Sequence, residues 1–169
     1  MTKYLVSVAT FFVLHQAHAW LFFDPYIGYN KGQHQSTRTQ GIGYGARLGV
    51  QMGSLYIAGD YSMSDMQQGT LSSVKYNDLA AVIGGDFRNF RVWYGQILST
   101  NFSYSSAGST IAYKGTGSKF GVGALVSPKA FLNLEMKTYD YTESSNAGVT
   151  TPIAEIGTMG FLSISYAFQ

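Results

Sequence analysis

The sequence predicts an all-β protein, an eight-stranded antiparallel up-and-down transmembrane β-barrel, and three observations lead there. Charged residues make up 12% of the 169-residue chain, while 46% is hydrophobic and 15% aromatic. A soluble domain usually carries about 25% charged residues, and a disordered chain would lack the apolar content. Beyond the N-terminal segment, the longest run free of strongly polar residues, 79–85, has seven residues, against the roughly 20 that a spanning helix needs. A two-residue alternation of apolar with small or polar side chains runs through the rest, which marks strands with two unlike faces. A charge-poor chain without a spanning helix can still cross a bilayer as a closed barrel.

The first element is a secretory signal, residues 1–19. Lys3 precedes an apolar run over 4–14, and Ala17-His18-Ala19 forms a small-x-small cleavage pattern before Trp20. The working protein is then a single domain over 20–169, in which His34 is the sole histidine. The chain has no cysteine, which excludes a disulfide framework, a thiolate metal site and a cysteine nucleophile. A net charge of +2 is too small to point to a nucleic-acid partner.

The alternation places strands at 22–31, 40–51, 54–63, 75–87, 90–102, 113–127, 131–141 and 153–168. Pro25 is expected at the start of the first, where its missing N–H matters least. In the second, Ile42, Tyr44, Ala46, Leu48 and Val50 share one face, and glycines, Arg47 and Gln51 the other. A Met52-Gly53 turn would set Val50 opposite Leu55, Leu48 opposite Ile57 and Arg47 opposite Ala58. In the next hairpin, an Arg88-Asn89 turn pairs Phe87 with Phe90, Gly85 with Val92 and Asp86 with Arg91, and puts Gly84 under Trp93. A third, turning at Pro128-Lys129-Ala130, would pair Val126 with Leu132 and set Gly123 beside Glu135 and Gly121 beside Lys137. Gln96 falls on the apolar face beside Tyr94 and Leu98, so a bulge or a rim position is expected there. The tight turns alternate with longer polar loops at 32–39, 64–74, 103–112 and 142–152, the pattern of an outer-membrane barrel with periplasmic turns.

The polar face consists mainly of Gly, Ala and Ser with scattered charges, which suits the interior of a narrow barrel better than a water-facing coat. Arg47, Arg91, Lys119 and Lys137 are therefore assigned inward against Asp60, Asp78, Asp86, Glu135 and Glu155, since buried charge persists only when paired. These groups are expected to form a filling network rather than an ion path. Tyr56, Trp93, Phe131, Tyr139, Met159 and Phe161 would obstruct the lumen, with Val82 and Ile97 also inside. Trp20, Tyr61 and Tyr166 are expected as interfacial anchors.

At the C-terminus, Leu162, Ile164, Tyr166 and Phe168 alternate and end on an aromatic one residue before the terminal Gln169. This ending resembles the assembly signature of outer-membrane barrels, departing from it only in Gln169. With the eight-strand pattern, the mature chain resembles the small family of OmpX, the OmpA membrane domain and OmpW. The resemblance implies a Gram-negative cell envelope, an outer-membrane location, escort by periplasmic chaperones, insertion by the barrel-assembly machinery, and a monomer in contact with outer-membrane lipid and lipopolysaccharide.

The fold itself selects no function. The expected role is non-catalytic, either bracing the envelope or presenting loops to partners. The alternatives are a narrow channel for small or apolar molecules and a lipid A-modifying acyltransferase or deacylase, since such enzymes are also small barrels with a histidine, a serine and an acid near the outer rim. His34-Gln35-Ser36 and Ser64-Asp65 supply those residue types, but catalysis needs hydroxyl and imidazole within hydrogen-bond reach and the downstream context matches neither enzyme motif. His34 is read as a solvated loop residue. No catalytic residue, cofactor site or metal ligand is assigned, and the glycines, lying at strand spacing with no following helix, form no phosphate loop.

Overall fold

A computed structural model describes residues 19–34, 37–68, 71–106 and 109–168. They form β1 (Ala19–His34), β2 (Thr37–Met52), β3 (Leu55–Gln68), β4 (Leu71–Asp86), β5 (Phe90–Ser106), β6 (Ser109–Ser127), β7 (Ala130–Asn146) and β8 (Val149–Tyr166). Each strand pairs with its sequence neighbour, and β8 returns to β1, closing the barrel. The signal segment lies outside the described residues apart from Ala19, which opens β1.

The face assignment follows the alternation. Arg47 is 1% exposed and its neighbour Leu48 55%; Tyr56 is fully buried and Ile57 53% exposed. Apolar side chains thus cover the outside, and the inside holds charges, aromatics and small residues. All six bulky side chains expected in the lumen are buried, as are Val82 and Ile97.

The strands are longer than the alternation indicated. They run from 14 to 19 residues, where about 9–11 cross a bilayer. The segments expected as long polar loops are largely strand: β1 and β2 continue to the His34–Thr37 pair, β5 and β6 to Ser106–Ser109, and β7 and β8 to a turn at Ala147-Gly148. Outside the apolar band, a strand no longer has to show lipid a hydrophobic face. Lys31, Gln33, Arg38 and Gln40 can therefore point outward while the ladder continues.

The hairpin between β4 and β5 has the expected register, with Asp86 opposite Arg91 and Gly84 opposite Trp93, and reciprocal backbone bonds join Phe87 and Phe90. The other two expected registers are displaced by two residues. Met52 pairs with Leu55, so Gly53-Ser54 forms the turn, and Arg47 faces Asp60 rather than Ala58. Gly53 has φ of 62°, a conformation glycine adopts without steric cost. In the β6–β7 hairpin Ser127 pairs with Ala130, which moves Gly121 opposite Glu135 and Lys119 opposite Lys137. A displacement of two preserves the face of every side chain, because the pleat repeats every two residues.

Pro25 lies within β1, not at its start. Phe23 exchanges both backbone hydrogen bonds with Phe168, and the continuous β1–β8 ladder resumes at Tyr26–Ser165. The missing proline N–H falls in the gap between them. The expected irregularity near Gln96 is a bulge: Ile97 points inward, Leu98 and Ser99 both point outward, and Thr100 is inside again. Gln96 stays outside and donates to the Gly117 carbonyl at 2.7 Å.

Candidate functional site

The lumen is built in two layers from the inward parity of the strands. In the layer nearer the tight turns, Arg47 of β2 is the hub. Its Nε donates to Asp60 Oδ2 at 2.9 Å, Nη1 to Asp24 Oδ2 at 3.1 Å and Nη2 to Glu135 Oε2 at 3.2 Å. The guanidinium also stacks 4.2 Å from the Trp93 ring centroid. Three carboxylates around one planar fork use its fixed donor geometry, which a lysine could not reproduce.

Around this hub every carboxylate has several donors. Lys119 Nζ donates to Asp60 Oδ2 at 2.7 Å, and Tyr26 donates its hydroxyl to Asp60 Oδ1 at 2.6 Å. Trp93 Nε1 donates to Glu135 Oε2 at 2.7 Å. Asp78 accepts from Lys137, Thr100 and Tyr139 at 3.0, 2.7 and 2.9 Å. Arg91 donates to Asp24 at 2.7 Å and lies 3.4 Å from the Phe131 ring centroid. A Cβ at Gly121 would collide with the Trp93 indole, so the bare backbone there admits the largest side chain of the layer.

The inward set thus corrects the sequence reading at two points. Asp24 belongs to it, fully buried between Arg47 and Arg91, although its place beside Pro25 concealed this. Asp86, opposite Arg91 in the ladder, makes no ion pair with it; its Oδ2 is buried without a hydrogen-bond partner among the described residues. The Asp24–Arg91 contact replaces the expected Asp86–Arg91 pair.

Toward the hairpin end the filling becomes aromatic. Tyr76 stacks on Phe102 with centroids 4.6 Å apart, and Tyr139 on Tyr141 at 5.8 Å. His34 belongs to this layer. It is not a solvated loop residue: it ends β1, is 3% exposed, and meets Phe102, Tyr113 and Tyr141 edge-on at 5.0, 4.9 and 5.1 Å. Its Nε2 lies 3.0 Å from Glu155 Oε2. The position is beyond the apolar band, since the flanking outward residues are Lys31, Gln33 and Arg38. Burial among rings holds the imidazole below its ordinary pKa, with the Glu155 carboxylate pulling the other way.

The residue types of a lipid A-modifying site are not brought together. Ser64 faces inward and accepts from Asn30 Nδ2 at 2.9 Å, whereas Asp65 points outward. Gln35 and Ser36 lie outside the described residues. No described serine bonds to His34, and among the described residues no group of three or more histidines and carboxylates is placed to hold a metal ion. The chemistry of the lumen is that of mutual neutralisation: the carboxylates of Asp24, Asp60, Asp78 and Glu135 are each held by cations, and the hydroxyls of Tyr26, Thr100 and Tyr139 serve them as further donors.

No protein-family model matches the chain, and no curated protein matches it significantly. Solved structures do resemble it. The Neisserial surface protein A aligns over 89% of this chain and 99% of its own at 15% identity, with a TM-score of 0.60. Ail, the attachment invasion locus protein of Yersinia pestis, aligns over 88% and 99% at 12% identity and 0.56. The outer membrane protein OprG from Pseudomonas aeruginosa aligns over 91% and 99% at 12% identity and 0.53. These likenesses establish the fold as that of the small eight-stranded outer-membrane barrels.

Proposed function

We propose that the chain, carrying the outer-membrane barrel fold, is a sealed and non-catalytic barrel of a Gram-negative outer membrane. Its tight turns would face the periplasm and its protruding hairpins the exterior. The observation that carries this reading is the Arg47 hub, which joins β1, β2, β3 and β7 across the lumen through Asp24, Asp60 and Glu135. Eight strands enclose little more than the volume of their own side chains, and here that volume is taken by bonded charge and stacked rings. The role that remains is structural, or the presentation of the protruding hairpins to a partner. Among the described residues, the longer polar loops expected to do this are largely β-structure. A surface protein and an attachment protein among the similar folds are consistent with such display.

The reading includes a signal segment over 1–19, biogenesis through chaperones and the barrel-assembly machinery, a monomeric barrel in outer-membrane lipid and lipopolysaccharide, and no nucleic-acid partner. Planar-bilayer recording tests the seal. The wild-type barrel should show no steady ion-selective conductance. A stable open channel whose selectivity changes with Lys137→Glu would overturn the sealed reading in favour of transport. Mass spectrometry of lipid A from expressing cells tests the absence of catalysis, an added or missing acyl chain being the contrary result.

A further inference from the structure

Outward cations at the hairpin end fall into two kinds. Lys75 stands opposite Asp65 in the β3–β4 ladder, and Lys114 opposite Glu143 in the β6–β7 ladder, so each has a carboxylate beside it on the same face. Lys31 and Arg38 have none. In the ladders Lys31 faces Gln40 and Gly160, and Arg38 faces Gln33; neither cation belongs to an ion pair among the described residues. They lie diagonally across β1 and β2, roughly 7–8 Å apart at the backbone, on the rim just past the apolar band.

Beside Lys31 and below Arg38 the wall is recessed. On β8 the outward row reads Thr158, Gly160, Leu162, Ile164, and the missing side chain at Gly160 leaves a notch between its ladder partners Met136 and Lys31, with Tyr29 opposite Leu162 one step deeper. The groove has a volume of about 560 Å³, with Lys31 and Arg38 at its upper end and Leu134, Met136 and Leu162 along its apolar part. No acidic residue lines it. A barrel wall facing lipid has no need of a notch there, and two neighbouring cations without counter-ions repel each other unless an anion joins them.

We infer that this groove binds one outer-leaflet lipid with a phosphorylated headgroup, the phosphate bridging Lys31 and Arg38 and an acyl chain lying in the notch at Gly160. The arrangement has the polarity of such a lipid: cations at headgroup height, where they recognise anionic lipid, and apolar surface one step deeper. The inference rests on the proposed orientation, with the hairpin end outward.

The test uses the mature chain folded in neutral detergent micelles and titrated with diphosphorylated lipid A, with thermal unfolding as the readout. The wild type should gain stability saturably. The double variant Lys31→Gln/Arg38→Gln should need on the order of tenfold more lipid. Gly160→Phe should weaken binding while leaving the barrel folded, because a Cβ there meets only the Lys31 carbonyl and Met136 Sδ, both at 3.7 Å. Dephosphorylated lipid A should stabilise wild type and charge variant equally. Superimposed lipid A titrations for the wild type and the charge variant would overturn the site. Insertion of the same preparations into vesicles is scored separately, by protection from protease: a barrel that inserts but ignores the phosphate defeats this inference alone, and one that never inserts defeats the outer-membrane reading.

Discussion

Arg91 Nη1 lies 2.7 Å from Asp24 Oδ2, on a strand 67 residues away in sequence, and not against Asp86, its direct partner across the β4–β5 turn. Asp24 also takes Arg47 at 3.1 Å, so one carboxylate bridges two guanidinium groups. Removing one side of a buried pair costs about 3–5 kcal/mol, because the other charge is left unpaired. Asp24→Ala and Arg91→Ala should each lower barrel stability by about that much, and the two together by clearly less than their sum. Asp86→Ala should cost about 1 kcal/mol or less. Urea unfolding in detergent checks all four, and a larger loss for Asp86→Ala than for Asp24→Ala would restore the hairpin pair.

Phe168 should govern entry into the membrane more than stability of the finished barrel. Its backbone exchanges two hydrogen bonds with Phe23, and its ring stacks 6.0 Å from that of Phe23 on the outer surface. Phe168→Asp should sharply reduce the yield of folded, heat-resistant protein in membranes, while deletion of Gln169 should leave it unchanged. Equal yields would separate the terminal aromatic from assembly.

The N-terminus of the mature protein should be Trp20. The Ala17-His18-Ala19 pattern places cleavage there, and the intact mass of membrane-extracted protein should lack residues 1–19. Retention of Met1 would refute the signal.

Acid should loosen the aromatic end. The folded imidazole of His34 has a pKa below its ordinary value, so the unfolded chain takes up a proton first, near pH 6.5. As pH falls through that value the unfolded state binds more protons than the folded one, and stability declines until the folded imidazole also titrates. Melting in detergent should therefore occur at lower temperature at pH 5.5 than at 7.5 by a margin that His34→Gln reduces. An unchanged margin in the variant would place the acid sensitivity elsewhere.

The strand faces were readable because the pleat gives every residue of a strand the same binary choice, and Leu48 or Ile57 makes that choice plain. Register was readable only where a second constraint existed. Arg88-Asn89 left one tight turn that paired Phe87 with Phe90, whereas Met52-Gly53 and Gly53-Ser54 preserve identical faces and differ only in backbone geometry. His34 was misread for a related reason: past the apolar band the outward residues become polar, and the periodic signal vanishes while the hydrogen-bonded ladder persists. A signal for it did exist, in the inward parity that runs Asp24, Tyr26, Asn30, His34. The partner of Arg91 was not legible, since Asp24 reaches it through the lumen and not along any ladder.

The Arg47–Glu135 contact joins β2 to β7, which become near neighbours only through β8 and β1. Before β8 docks on β1, the chain is an open sheet with those two strands well apart: Arg47 keeps its ladder neighbours Asp24 and Asp60, and Glu135 keeps Lys119 and Lys137, but the Arg47–Glu135 bond across the lumen is missing and the charged face lies open at the edge of hydrocarbon. Half-built sheets are therefore poor resting states in lipid, and the energetic reward arrives with the last seam. Such a chain is expected to enter the bilayer in one concerted step, with few long-lived partial barrels for proteases to find.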